Sequence, residues 1–261
     1  MALVKHVSLI RYPHKMQRIY PTNNSISLAL ISAQSNHLIF ALTKMSNKKI
    51  LSFEGTEFDV TWDGTLCTHA EECIRTDSKL FEKGRTPWGQ PDLVDAAELD
   101  RIVRRCPSGA IKYTAKDGSS PEKPEAENTA LPLPNGPLYV RGDLRIPGAD
   151  PENPVHATRV ALCRCGHSKN KPFCDNSHIE AGFSDTGAVG REGPGLAEKG
   201  GALEILTNKN GSVRLVGNVT IMAASGCARW SGPKVSMCRC GLSKQKPFCD
   251  ASHRDSGFEA D

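Results

Sequence analysis

The clearest periodicity in the chain runs from Asp95 to Cys106. Leu99, Ile102, Val103 and Cys106 fall at i, i+3, i+4 and i+7, the apolar stripe of a helix. Asp95 is placed to cap its N-terminus, Glu98 sits at capping-box distance, and Pro107 stops it. Upstream, Phe53, Phe58, Val60 and Trp62 alternate as in short strands, with turn signals at Gly55 and Asp63-Gly64. Downstream, Leu138–Ile146 and Val213–Ile221 read as strands. Leu203–Leu206 and Ser212–Val216 flank Asn210-Gly211, which predicts a hairpin. Residues 114–135 carry Pro121, Pro124, Pro132 and Pro134 among polar groups and few apolar ones, so they read as a linker and a domain boundary.

The second half is an internal repeat. At an offset of 75 residues, Gly136 maps to Gly211, Gly142 to Gly217 and Ile146 to Ile221. Between Cys163 and Phe183, 15 of 21 positions equal their partners in 238–258. Each copy holds too few apolar residues to be stable alone, so the two are expected to pack as a pseudo-twofold pair. The predicted organisation is a leader or non-native extension at 1–49, a first compact unit at 50–113, a linker at 114–135, one repeat at 136–183, a Gly-rich connection at 184–200 and the second repeat at 201–261.

Composition adds two constraints. The chain has 261 residues, 38% hydrophobic and only 6% aromatic, with 23 Gly and 17 Pro, which predicts small turn-rich elements rather than one thick core. The net charge of +4 suggests nucleic acid or a membrane surface. That sign is local, however. Residues 1–44 carry five Lys or Arg and no acid, leaving −1 for 45–261. No nucleic-acid or membrane partner is therefore expected. The run Ile26–Leu42 is interrupted by polar groups and makes a poor membrane span. Residues 1–44 read either as an organellar transit peptide or as an extension ahead of a start at Met45. The second reading predicts a cytoplasmic protein.

Ten cysteines invite a disulfide framework, but their grouping argues against it. They fall as Cys67, Cys73, Cys106, then Cys163, Cys165, Cys174, then Cys238, Cys240, Cys249, with Cys227 left over. Three triplets suggest three metal or cluster sites in a reducing compartment. Each repeat carries Cys-x-Cys-x8-Cys-x3-His, which ends at His178 in the first copy and at His253 in the second. Three thiolates and one imidazole could hold zinc, although structural zinc sites usually space their paired ligands two to four residues apart. They could equally hold the two irons of a [2Fe–2S] cluster. Lys169, Lys171, Lys244 and Lys246 flank the sites and read as solvated loop charges. Cys227 reads as a small loop side chain.

The strings Cys-Arg-Cys-Gly-His-Ser-Lys-Asn-Lys-Pro-Phe-Cys-Asp-Asn-Ser-His at 163–178 and Cys-Arg-Cys-Gly-Leu-Ser-Lys-Gln-Lys-Pro-Phe-Cys-Asp-Ala-Ser-His at 238–253 resemble the CDGSH iron-sulfur (NEET) family. The resemblance implies one [2Fe–2S] cluster per motif. Cys163 and Cys165 would hold one iron and Cys174 and His178 the other; Cys238 and Cys240, then Cys249 and His253, would do the same. Asn176 and Ala251 stand where that family has Gly. One neutral imidazole among thiolates should place the potential between about −400 mV for all-Cys plant-type ferredoxins and the about −150 to +300 mV of two-His centres. Imidazole must also be deprotonated to bind iron, so acid is expected to loosen both clusters.

Cys67-x-His69-x3-Cys73, Pro87-Trp88 and Cys106-Pro107 together resemble the divergent [4Fe–4S] mono-cluster domain found beside CDGSH modules, over about residues 50–113. A fourth cysteine is missing. His69 could fill that place, an exogenous ligand could, or three cysteines could hold [3Fe–4S].

The fold expected is α+β, a small ferredoxin-like α+β domain followed by two β-rich CDGSH modules packed as a pseudo-dimer. The expected function is one-electron transfer, or cluster storage and delivery, with redox or cluster-acceptor proteins as partners and a monomeric chain. No nucleophile elbow, phosphate loop or paired-carboxylate signature marks it as an enzyme. The alternatives are a zinc-stabilised interaction module and the redox partner of a reductase.

Overall fold

The computed structural model describes residues 50–76, 79–119, 122–147 and 155–260. The leader and the run Ile26–Leu42 lie outside the described residues. The described part is mostly strand with few helices, built as an N-terminal sheet and a larger barrel-like one.

The N-terminal sheet has three antiparallel strands in the order β1 (Ile50–Phe53), β2 (Phe58–Asp63), β3 (Ile111–Ala115). Helix α1 (Ala96–Val103) covers it and buries Leu99, Ile102 and Val103. The Asp95 carboxylate accepts from the Glu98 amide at 2.8 Å, the expected N-cap. The helix ends one turn earlier than its apolar stripe. Cys106 lies beyond it in a tight turn, buried, with its amide donating to Val103 O. Aromatic residues concentrate here: Phe81 stacks on Trp88, and Phe53 and Trp62 meet Trp88 edge-on.

Six strands form the second sheet: β4 (Thr129–Pro132), β5 (Leu138–Ile146), β6 (Val155–Leu162), β7 (Ala202–Thr207), β8 (Val213–Met222) and β9 (Arg229–Met237). The predicted hairpin is β7–β8, pairing Thr207 with Val213. Strand β4 runs antiparallel to the start of β5 and parallel to the end of β8. Strand β7 runs antiparallel to the start of β8 and parallel to the far half of β5. Each repeat thus contributes one strand to the other repeat's sheet. Inward positions of both copies share one core, with Leu144, Leu203, Leu215, Val219 and Ile221 fully buried.

Two segments read as linkers from sequence are more structured than expected. Residues 129–132 form β4, with Ala130 fully buried, and Glu122 is buried in an ion pair with Arg159. The 184–200 connection buries Val189 in the core. Their polar, Pro- and Gly-rich composition hides this because β8, Arg159 and much of the shared core they meet are remote in sequence.

Candidate metal centres

In each repeat the last ladder strand delivers the motif. β6 ends at Leu162 and β9 at Met237, and the next residues are Cys163 and Cys238. The loop then folds back to bridge Leu162 with Phe173 and Met237 with Phe248. This return brings the third cysteine beside the strand: the Cys174 amide donates to Ala161 O at 2.8 Å and the Cys249 amide to Ser236 O at 2.9 Å. The buried hydroxyls of Ser168 and Ser243 close the loops by donating to Phe173 O and Phe248 O. Asp175 accepts from the Lys169 and Ser177 amides, and Asp250 from those of Lys244 and Ser252. Lys171 and Lys246 do more than carry solvated charge, since each ammonium donates to a main-chain carbonyl of its own loop.

Asn176 and Ala251 take the same left-handed backbone, φ 71° and 70°. That turn starts α2 (Ser177–Glu180) in the first copy and a 3-10 turn (Ser252–Asp255) in the second, which carry His178 and His253 back over the loop.

The eight side chains gather as pairs. Cys163 Sγ lies 3.7 Å from Cys165 Sγ, and Cys174 Sγ lies 3.5 Å from His178 Nδ1. In the second copy the distances are 3.8 Å for Cys238 and Cys240, and 3.6 Å for Cys249 and His253. Two ligands on one tetrahedral metal, with bonds of about 2.3 Å to sulfur and about 2.0–2.1 Å to nitrogen, sit about 3.8 Å apart for two sulfurs and about 3.6 Å for sulfur and nitrogen. The pairs fit that span. Among the described residues no group of three or more such side chains is gathered closely enough for a single ion. Each histidine faces its cysteine through Nδ1.

Main-chain amides point at the sulfurs. Those of His167, Asn176 and Ala251 donate to Cys165, Cys174 and Cys249 Sγ, each at 3.4 Å. Within each Cys-x-Cys pair, one thiolate accepts from its neighbour's thiol, so the first proton leaves readily and burial and charge hold the second. Burial pushes the Cys174 thiol up to about 11. Burial lowers the His178 pKa, against the opposing charge of Asp175, and so favours the neutral ring that metals bind.

The arginine between the two cysteines is buried in both copies and was not singled out from sequence. Arg164 donates to Gly136 O and Leu133 O and pairs with Asp185 at 3.0 Å. Arg239 donates to Gly211 O and Asn208 O. Both guanidiniums lie over a phenylalanine ring, Phe183 and Phe258. The signal was available: an arginine kept at the same place in both copies of the repeat.

The two copies also touch. A Cβ on Gly166 would lie 2.6 Å from Cys240 O, and one on Gly241 would lie 2.6 Å from Cys165 O. Both glycines have positive φ, 84° and 83°.

The N-terminal set converges as well. Cys67, His69, Cys73 and Cys106 line one cavity with Trp62, Ser108 and Ile111. Cys67 Sγ lies 3.8 Å from His69 Nδ1. Burial, then the charges of Cys106 and Cys67, push the Cys73 thiol up to about 11. Thiols gathered in one cavity are a donor set that a cationic cluster would suit. Cys227 stands apart, exposed in the β8–β9 turn.

Three sets of thiols, two of them carried with an imidazole in a repeated loop, define a metal-binding protein with thiolate-rich sites. Residues 53–116 match the divergent 4Fe-4S mono-cluster family. Residues 135–179 and 210–254 each match the iron-binding zinc finger of CDGSH type. A divergent mono-cluster domain thus stands ahead of two CDGSH-type iron-binding modules in this chain. Two curated relatives are similar to that first domain, the uncharacterized protein YjdI of Escherichia coli K12 and that of strain O157:H7. Each is 41% identical over 64 residues, spanning 24% of this chain and 84% of the relative. No solved structure matches. Among the described residues no helix is long and apolar enough to cross a membrane.

Proposed function

We propose that this chain is a one-electron carrier holding three iron-sulfur clusters and catalysing no reaction of its own. Cys163, Cys165, Cys174 and His178 would hold one [2Fe–2S] cluster, and Cys238, Cys240, Cys249 and His253 a second. Cys67, Cys73 and Cys106 would hold a [4Fe–4S] or [3Fe–4S] cluster, with His69 as the candidate fourth ligand. The observation that carries this reading is the pairing of ligands at 3.5–3.8 Å. Two pairs per loop suit two irons, whereas one zinc would draw all four ligands into a single tetrahedron. Bound clusters supply reversible one-electron chemistry at potentials set by ligand charge, hydrogen bonds to sulfur and burial. The protein's part is to supply a neutral imidazole in each loop, amides aimed at sulfur, and buried walls.

The reciprocal strand exchange of β4 and β7 and the mutual approach of Gly166 and Gly241 support a pseudo-dimer made within one chain. Partners would be redox proteins of the cytoplasm. Cluster delivery is the second reading, favoured by the position of His253 on an open cavity of about 610 Å³ shared with Asn208, Arg254 and Phe258.

Iron and labile-sulfide analysis with EPR tests the cluster reading. A colourless protein with stoichiometric zinc would refute it. Mixing holoprotein with an apo-ferredoxin separates the two roles: movement of iron and sulfide without net electrons favours delivery.

A further inference from the structure

The two CDGSH loops are alike in their ligands and unlike in what surrounds them. The first repeat meets the N-terminal unit through side chains that the second copy lacks. Asn176 Nδ2 donates to Cys67 O at 3.1 Å, and Asn170 Nδ2 donates to Thr65 O at 3.1 Å. The Tyr139 hydroxyl meets Thr68 Oγ1 at 3.1 Å. On the other side of the contact, Arg141 donates to Arg104 O, and Arg159 donates to Val103 O, Cys106 O and Ile111 O. The equivalent positions 75 residues on are Ala251, Gln245, Arg214, Val216 and Lys234. An alanine has no side-chain amide to donate.

We infer that Asn176 wires the N-terminal site to the first CDGSH site, making them an electron-exchanging pair, and that the second CDGSH site has no equivalent link to the N-terminal site. This rests on the reading of all three sites as iron-sulfur centres. Asn176 sits two residues from both Cys174 and His178. Its main-chain amide donates to Cys174 Sγ at 3.4 Å and its side chain to the carbonyl of Cys67. One residue therefore joins a ligand of each site through two hydrogen bonds and a short covalent path. Tyr139 lies in the same seam, where burial and the nearby Cys174, Cys106 and Cys67 hold its phenol above the ordinary range against the Thr68 hydrogen bond. Arg159 fixes the carbonyl of Cys106 from the same repeat, so two N-terminal ligands are held by module one.

The step is a single electron leaving the centre held by Cys67, Cys73 and Cys106 and entering the one held by Cys163, Cys165, Cys174 and His178. The first is oxidised by one electron and the second reduced by one. No bond forms or breaks and no proton need move. The electron originates in an external one-electron donor, dithionite in the test.

The test uses the full-length holoprotein and three variants. His178→Ala removes a ligand of the first module, His253→Ala one of the second, and Asn176→Gly keeps every ligand and the left-handed backbone. After dithionite reduction, the EPR signal of the N-terminal centre should show spin–spin splitting and fast relaxation in wild type and His253→Ala, and lose both in His178→Ala. After pulsed one-electron reduction, Asn176→Gly should slow exchange between the two centres, because the side-chain link to the Cys67 carbonyl is gone, with iron and sulfide content unchanged. Coupling that survives in His178→Ala but vanishes in His253→Ala, or an exchange rate unchanged in Asn176→Gly, would overturn the inference. Iron and sulfide content of the wild type separates the two failures: absent clusters sink the cluster reading itself, while loaded but uncoupled clusters sink only the wiring.

Discussion

The side-chain amide of Asn176 reaches the main-chain carbonyl of Cys67 at 3.1 Å, across 109 residues of chain. Its counterpart in the second repeat, Ala251, holds the same left-handed backbone with no such reach. This difference is one of those that tie the first loop, and not the second, to the N-terminal unit.

It also makes Ala251 a strained residue. A left-handed backbone costs a Cβ-bearing residue roughly 1–2 kcal/mol, and glycine escapes the cost. Ala251→Gly is expected to stabilise the protein by about 1 kcal/mol in urea denaturation. No gain would mean that the second loop relaxes around alanine without strain.

Arg159 is the principal clamp between the N-terminal unit and the first module. Its guanidinium is 3% exposed and pairs with Glu122, 8% exposed, at 2.7 Å. Removing one partner of a buried pair costs about 3–5 kcal/mol because the other charge is left uncompensated. Arg159→Ala should destabilise by that order and expose Cys106 to thiol reagents. Lys234, its exposed counterpart in β9, should tolerate alanine within about 0.5 kcal/mol. Equal effects at the two positions would contradict the asymmetric docking.

Gly166 and Gly241 each face the main-chain carbonyl of a cysteine in the other repeat, with no room for a methyl group and with positive φ. Backbone cannot yield as a flexible side chain can. Either glycine to alanine should cost more than the roughly 1–2 kcal/mol of left-handed strain alone, and cluster retention should fall in both modules. Loss confined to the module carrying the substitution would show that the loops do not support one another.

The histidines set the redox prediction. Replacing a neutral imidazole by a thiolate adds negative charge, which favours the oxidised state. His178→Cys and His253→Cys should each lower the midpoint of one centre toward the about −400 mV of all-Cys plant-type clusters, as measured by EPR-monitored titration. An upward shift would argue that the histidine does not ligate.

Much of the chain was legible without coordinates where spacing is short. The helix after Asp95, the β7–β8 hairpin, the 75-residue repeat and the family resemblance are patterns within a few residues or between identical strings. Cys106 was placed on the helix stripe correctly as a buried residue, yet α1 stops at Val103 and leaves it in the following turn. Capping and turn geometry decided that, and periodicity does not encode it.

The sequence by itself determined which side chains form each loop's donor set and that the set occurs twice, because ligand chemistry depends on residue type and local spacing. Tertiary structure decided what those loops touch. It turned part of a Pro-rich linker into β4, lodged between strands of both repeats, and it buried Glu122 against Arg159. It set Asn176, by sequence only a departure from glycine, against Cys67. Most of these contacts join residues tens to more than a hundred positions apart. Their energy comes from burial and hydrogen bonds formed only once the chain is compact, so no local pattern announces them.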